Sequence, residues 1–201
     1  MRMRLRFPLL LAAVLATPAL AQSPEQWLRP PDNLPLVGRS APRYSLDTLF
    51  DALKIAPNEA SAKALEDRIW AAWMISGSDT CDLLMSRAKD AIDGKDYDLA
   101  LKLLDAIVTI KPGYVEGWNR RATVYYLKQD YARSIADIGE VLAREPRHFG
   151  ALAGLGLMLQ EIGDDKDALE AYRKALAIDP HLENIPDVVK TLSDKVEGRD
   201  I

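Results

Sequence analysis

The fifteen residues from Gly117 to Tyr131, GWNRRATVYYLKQDY, hold one tryptophan, three tyrosines, two adjacent arginines and a lysine. Aromatic faces stack on bases and cations hold phosphates, so this is a mixture that single-stranded nucleic-acid sites use. A second candidate, GALAGLGLM from Gly150 to Met158, is rich in glycine as phosphate-binding loops are. It fails the G-x-G-x-x-G spacing, and no strand precedes it. His148 and His181 each follow closely on a proline, with no Cys, His or carboxylate spacing that would build a zinc or nucleophilic site around them. Cys81 is the single cysteine, so no disulfide forms within the chain, and burial as a small hydrophobe is the favoured reading. No catalytic residue, metal site or cofactor is expected.

Charge weakens the nucleic-acid reading. With 26 basic against 30 acidic residues the formal charge is −4, and such a chain has no overall positive field to attract a polyanion. The opening segment 1–21, MRMRLRFPLLLAAVLATPALA, places three arginines before an apolar run and ends on the small residues Ala19 and Ala21, the order of a secretory signal. The apolar run Phe7 to Ala16 falls short of the roughly 20 residues that cross a hydrocarbon core, so no stable membrane insertion is expected after cleavage. Removal of Arg2, Arg4 and Arg6 takes the net charge of −4 three units lower, to −7. The expected product is acidic, exported, and periplasmic or secreted.

Residues 22–44 carry Pro24, Pro30, Pro31, Pro35 and Pro42, which remove amide donors and turn the chain away from helix, so an extended arm containing Trp27 is expected. Beyond it the periodicity is helical. Residues 45–77 read as a helical pair: Ser45 caps a first helix with Leu46, Leu49, Phe50 and Leu53 on one face, and a second runs from Glu59 to Ser76 with Leu65, Ile69, Trp70, Trp73 and Met74. No segment shows the sustained alternation of a strand.

From Cys81 the chain repeats. Pro112, Pro146 and Pro180 recur at one constant interval, and the rest of each unit keeps that register. Leu84, Trp118 and Leu152 correspond, as do the small residues Ala88, Ala122 and Gly156, then Ala91, Tyr125 and Leu159. In the second half Asp96, Asp130 and Asp164 open the turn, and Ala100, Ser134 and Ala168 precede Leu104, Ile138 and Tyr172. The pattern resembles the tetratricopeptide repeat family, whose unit of about 34 residues is helix, turn, helix. Arg87 and Arg121, where leucine is more usual, and Gly94, one place before the turn glycine represented by Gly163, depart from it. The resemblance implies an all-α right-handed superhelix of antiparallel helix pairs with capping helices at both ends. Three units are expected at about 81–114, 115–148 and 149–182, closed by a helix over 184–201 with Val188, Val189, Leu192 and Val196 as its apolar stripe.

In this register Trp118, Ala122 and Tyr125 are packing positions, so most of the opening stretch is core. The residues left over share another helix face, which in this family lines the concave groove. The implied partner-binding groove comprises Met85, Lys89 and Ile92 of the first unit, Asn119, Arg120, Thr123 and Tyr126 of the second, and Leu157 and Gln160 of the third. Some relatives clamp a chaperone's C-terminal carboxylate with lysine and asparagine; Met85, Lys89 and Arg120 at the matching places of the first two units do not reproduce that set. The implied role is non-enzymatic binding of a protein or peptide by an envelope adaptor, with no nucleic acid. The alternative is self-association into a homo-oligomer, the groove filled by the protein's own or a neighbour's N-terminal arm. Mass spectrometry of exported material is expected to find a mature chain beginning at Gln22, and a mature N-terminus at Met1 would refute the export assignment.

Overall fold

The computed structural model describes residues 45–198; the expected signal segment, the arm 22–44 with Trp27, and residues 199–201 lie outside them. Among the described residues there are nine helices and no strand: α1 (Leu46–Lys54), α2 (Glu59–Trp73), α3 (Asp79–Asp93), α4 (Tyr97–Ile110), α5 (Val115–Leu127), α6 (Tyr131–Arg144), α7 (Phe149–Glu161), α8 (Asp165–Ile178) and α9 (Ile185–Val196). The six helices α3 to α8 form three hairpins stacked into the all-α repeat superhelix.

Each hairpin turns the same way for the same local reason. Lys95, Gln129 and Gly163, at equivalent places in the three units, take left-handed φ values of 59°, 59° and 88°. That reversal lets the amides of Asp96, Asp130 and Asp164 reach the carbonyls of Ala91, Tyr125 and Leu159 at 2.8 to 2.9 Å, closing the first helix. The three aspartates then cap the second helix, accepting from Leu99, Arg133 and Asp167 amides at 3.1, 3.2 and 3.2 Å. Gly94 is not a displaced turn glycine: it keeps a right-handed φ of −78°, and Lys95 supplies the left-handed residue.

Within each hairpin a small residue meets a bulky one. Ala88, Ala122 and Gly156 are buried, as are Leu104, Ile138 and Tyr172. The sizes compensate: a Cβ on Gly156 would stand 2.7 Å from the Tyr172 ring, so the largest bulky residue faces the one unit without a Cβ.

The middle unit departs from a purely apolar reading. Trp118 and Tyr125 are only half-buried, and the guanidiniums of Arg121 and Arg144 stand 4.8 and 5.0 Å from the Trp118 ring centre. Arg121, at the usual leucine position, donates two bonds of 2.8 and 2.7 Å to the buried Asp137 carboxylate and one of 2.8 Å to Asp105. The hydrogen bonds to Asp137 hold its guanidinium above the ordinary arginine range despite partial burial. A forked, charge-assisted pair thus stands in for a packed side chain.

At the C-terminal end α9 packs on α8 with Ile185 and Leu192 buried, Val188 and Val189 partly so, and Val196 outside. The N-terminal pair behaves differently from an end cap on the first unit. Leu49, Phe50, Leu53, Trp70 and Trp73 share one core with Phe149, Leu152 and Tyr172 of the third unit. The second helix of the pair also stops at Trp73, with Met74 as its C-cap, before the expected Ser76.

Gly156→Ala is expected to destabilise the protein by about 1 to 3 kcal/mol, the cost of overpacking a filled core. Denaturant melts of Gly156→Ala alone and combined with Tyr172→Ile check the cause, because shrinking the ring should recover much of the loss.

Candidate functional site

The three prolines that end the units create three short loops, and the α1–α2 pair lies across all of them. At the first loop the Tyr114 hydroxyl donates to the Met74 carbonyl at 3.1 Å, fixing the C-terminal end of α2. At the second, Arg147 donates to Asp47 of α1 at 2.6 Å and stands 4.3 Å from the Phe50 ring centre. At the third, a His181 ring nitrogen lies 3.1 Å from the carbonyl of Ala56, between the two helices. Tyr114 and His148 are the N-caps of α5 and α7, so α2 runs along the edge of the inner face where those first helices begin.

His148 is the centre of this contact. Trp73 stacks on it at 4.1 Å and 7°, Trp70 meets it edge-on at 5.2 Å, and Phe149 closes the cluster with centroids 5.8 and 5.3 Å from the two tryptophans. Its Nδ1 accepts the Ala151 amide at 3.0 Å, which caps α7 and leaves Nε2 to donate to the Glu116 carboxylate at 2.8 Å. Glu116 has no exposed surface. Burial pushes its carboxyl up, but His148, the Arg120 charge and the Asn119 amide outweigh that and hold it below the ordinary range.

The middle of α2 is less well matched. Glu66 is set against Asp179, a carboxylate with no exposed surface. Burial first, and the Asp179 charge second, push the Glu66 carboxyl up to about 7; Lys63 works in the other direction. Asp179 is raised as well, chiefly by burial. Its Oδ1 accepts the His181 amide at 3.0 Å, and its carboxylate also takes a hydrogen bond from the Glu66 carboxyl while that is protonated.

This arrangement sorts the nine expected groove residues. Lys89 and Gln160 are exposed or nearly so, and Arg120, Tyr126 and Leu157 are half-buried, so these five present surface. Four expectations are corrected. Met85 and Ile92 are buried in the cluster around Cys81, which also takes in Met74 beyond α2. Asn119 and Thr123 have no exposed surface: Asn119 donates to Glu116 at 3.1 Å and Thr123 donates back to the Asn119 carbonyl at 3.0 Å, both in the network that ends on His148. Helical spacing grouped these four residues with the exposed five, but it carried no sign that Asn119 and Thr123 enter a buried polar network or that Met85 and Ile92 join the core around Cys81. Along the open part of the face, the Tyr126 and Tyr131 hydroxyls donate to the two oxygens of Glu161 at 2.9 and 2.5 Å, joining the second and third units.

From the sequence His148 reads as a turn or helix-capping residue, and it does cap α7, but its pairing with Glu116 and the place of Asp179 went unforeseen. Each of the three is polar and sits at a unit boundary. No three His, Cys, Asp or Glu side chains come together as a metal site among the described residues, and no helix there is long and apolar enough to cross a membrane.

Comparison with known proteins places this architecture. The tetratricopeptide repeat family matches residues 119–183. A TPR repeat-containing protein of Rhizobium etli is 40% identical over 159 residues, covering 79% of this chain and 78% of that one. The small glutamine-rich tetratricopeptide repeat-containing protein 2 of Saccharomyces cerevisiae is 29% identical over 98 residues, 49% of this chain and 28% of its own length. Among solved structures, the first TPR of Spaghetti (RPAP3) bound to an HSP90 peptide superposes with a TM-score of 0.57 at 16% identity, over 60% of this chain and 95% of that one. The Sgt2 TPR domain from Aspergillus fumigatus gives 0.55 at 24% identity, over 60% and 81%. The chain belongs to the tetratricopeptide repeat family.

The acid pair gives stability a pH dependence of known sign. Because the folded Glu66 carboxyl titrates near 7, above its ordinary 4.5, its contribution is complete below pH 4.5 and is lost as pH rises through 7. Glu66→Gln is expected to match the wild type near pH 4.5 and to melt higher than it above pH 7. Parallel melting curves at all pH values would contradict this.

Proposed function

We propose that this protein is an exported envelope adaptor that binds an acidic and apolar peptide segment, without catalysis, on the open part of its concave face. The observation carrying this reading is that Lys89, Arg120, Tyr126, Leu157 and Gln160, which the repeat register assigns to that face, all keep accessible surface. Two cations and an amphipathic tyrosine on an acidic molecule orient a negative segment, and Leu157 supplies apolar contact. Lys89 pairs with Asp93 at 3.3 Å, but both are more than half exposed, so that pair is easily exchanged for a ligand carboxylate. The HSP90 peptide on the RPAP3 repeat supports peptide binding as a use of this fold. The arginine, apolar and small-residue order of residues 1–21 supports export, and the Rhizobium etli relative supports a bacterial setting.

Self-contact, the second reading, also has an observation in its favour. The α1–α2 segment of the chain itself packs against the third unit; the proline-rich arm lies outside the described residues. Affinity capture from envelope extracts is expected to lose its partner with the double change Arg120→Glu and Tyr126→Ala, while light scattering stays that of the wild type. Retention of the partner excludes the open face as the working surface.

A further inference from the structure

The two ends of the repeat stack are finished differently. At the C-terminal end α9 covers α8 and turns Asp187, Lys190 and Asp194 outward, the polar face that closes such a stack. At the N-terminal end α1 and α2 do not stack on α3 and α4, since they share their core with the third unit. The repeat register says which residues this leaves bare. In the second unit four residues turn towards the unit before it. A Cβ on Gly117 would stand 2.8 Å from Ile107, Arg121 donates to Asp105 at 2.8 Å, Lys128 to Asp98 at 2.7 Å, and Arg144 to the Pro112 carbonyl at 2.7 Å. Their counterparts one repeat earlier are Leu83, Arg87, Gly94 and Ile110. Leu83 is 56% exposed and Ile110 53%, and Leu99, which shares the stripe of α4 that ends on Ile110, is 44% exposed. Large apolar side chains gathered on one face mark a surface that another protein covers. Arg87 adds a charge to that face. It repeats Arg121, yet neither acid that satisfies Arg121 has a counterpart: Leu103 stands where the second unit has Asp137, and no unit stacks there to supply an Asp105. Arg87 and Asp90, one helical turn apart on the exposed side of α3, have no ion pair among the described residues.

We propose that this bare N-terminal face is a dimer interface, and that its occupant is the same face of a second copy of the chain. A two-fold axis makes a patch its own partner, so that residue i meets j while j meets i. Placed across the middle of α3, such an axis sets the helix antiparallel on its copy. Arg87 then faces the partner's Asp90, and Leu83 faces the partner's Gly94, which has no side chain to obstruct it. The same axis serves α4, because the buried residues Ala88 and Leu104, where the hairpin crosses, lie at the middle of the two stripes. Leu99 thereby falls on the partner's Ile110. Each charge is answered twice per dimer, and apolar groups now in water are covered. A face that holds one cation and one anion at this spacing complements itself, which favours a second copy over an unrelated chain. Growth beyond two copies is blocked, because the other end of each stack is closed by the charged outer side of α9. The interface uses none of Lys89, Arg120, Tyr126, Leu157 or Gln160.

The test is sedimentation equilibrium of the exported full chain over a range of concentrations, as wild type and with Arg87→Asp, Asp90→Arg and both changes together. The wild type is expected to pass from the mass of one chain to that of two as concentration rises. Arg87→Asp makes a face with two acids and Asp90→Arg a face with two arginines, so each alone should dimerise at least about tenfold more weakly, the effect of setting like charges against each other. Mixing the two single variants should restore association as a mixed pair, and the double change should restore it within one chain. Both positions are exposed, so the variants should keep the wild-type fold, which circular dichroism checks. A wild type that stays a monomer throughout, a dimer that survives both single changes unaltered, or single variants that do not recover on mixing overturns the inference. A monomer that dimerises only after deletion of residues 22–44 also overturns it, and assigns the face to the proline-rich arm. The variant with Arg120→Glu and Tyr126→Ala should sediment as the wild type does, so loss of a captured peptide partner and loss of the dimer are read separately.

Discussion

Close approach of two helices at a residue with little or no side chain is the constraint on which this structure depends. Ala88, Ala122 and Gly156 let the second helix of each hairpin lie against the first, and Leu104, Ile138 and Tyr172 fill the space that this closeness creates. The fit is tightest in the third unit, where a tyrosine ring occupies the room that glycine leaves. Since a single hairpin leaves an apolar face bare, the same geometry repeated at a fixed period makes the stack rather than the unit the stable object.

Stacking at a constant period has a second effect. It places three proline-ended loops, around Pro112, Pro146 and Pro180, along one edge of the inner face, and that row is what α1–α2 recognises. The second and third loops are built alike: Glu145 and Asp179, each just before a proline, accept the amide two positions on at 3.1 and 3.0 Å. Their next residues differ, and those differences carry the docking. His148 offers a flat face to Trp73 because its two nitrogens are already used by Ala151 and Glu116. Asp179 instead faces the Glu66 carboxyl of α2.

For the proposed binding, two regions differ. The edge at the start of the first helices is occupied, desolvated and aromatic, whereas Lys89, Arg120, Tyr126, Leu157 and Gln160 keep accessible surface. A partner can meet the open part without disturbing α2, whereas anything that uses the covered edge must contend with a helix tethered by a short linker. Loss of the Glu66 proton near pH 7 weakens that docking, because it leaves two carboxylates facing each other in a partly buried site.

Much of this was legible before any coordinates. Prolines at 112, 146 and 180, small residues at 88, 122 and 156 and aspartates at 96, 130 and 164 determined the hairpins, since proline, glycine or alanine, and capping aspartate act through local backbone sterics and short hydrogen bonds. Helical spacing also grouped Lys89, Arg120, Tyr126, Leu157 and Gln160, each of which keeps accessible surface. Only the tertiary structure decided where α1 and α2 sit. Their apolar stripe, with Leu49, Phe50, Trp70 and Trp73, announces that they must be covered, but burial of apolar surface is non-directional and names no partner. The choice of the third unit over the first depends on Arg147, His148 and Asp179 arriving together from loops one repeat apart; the network on His148 also takes in Asn119 and Thr123, while Met85 and Ile92 are buried in the core around Cys81, where periodicity alone left all four exposed.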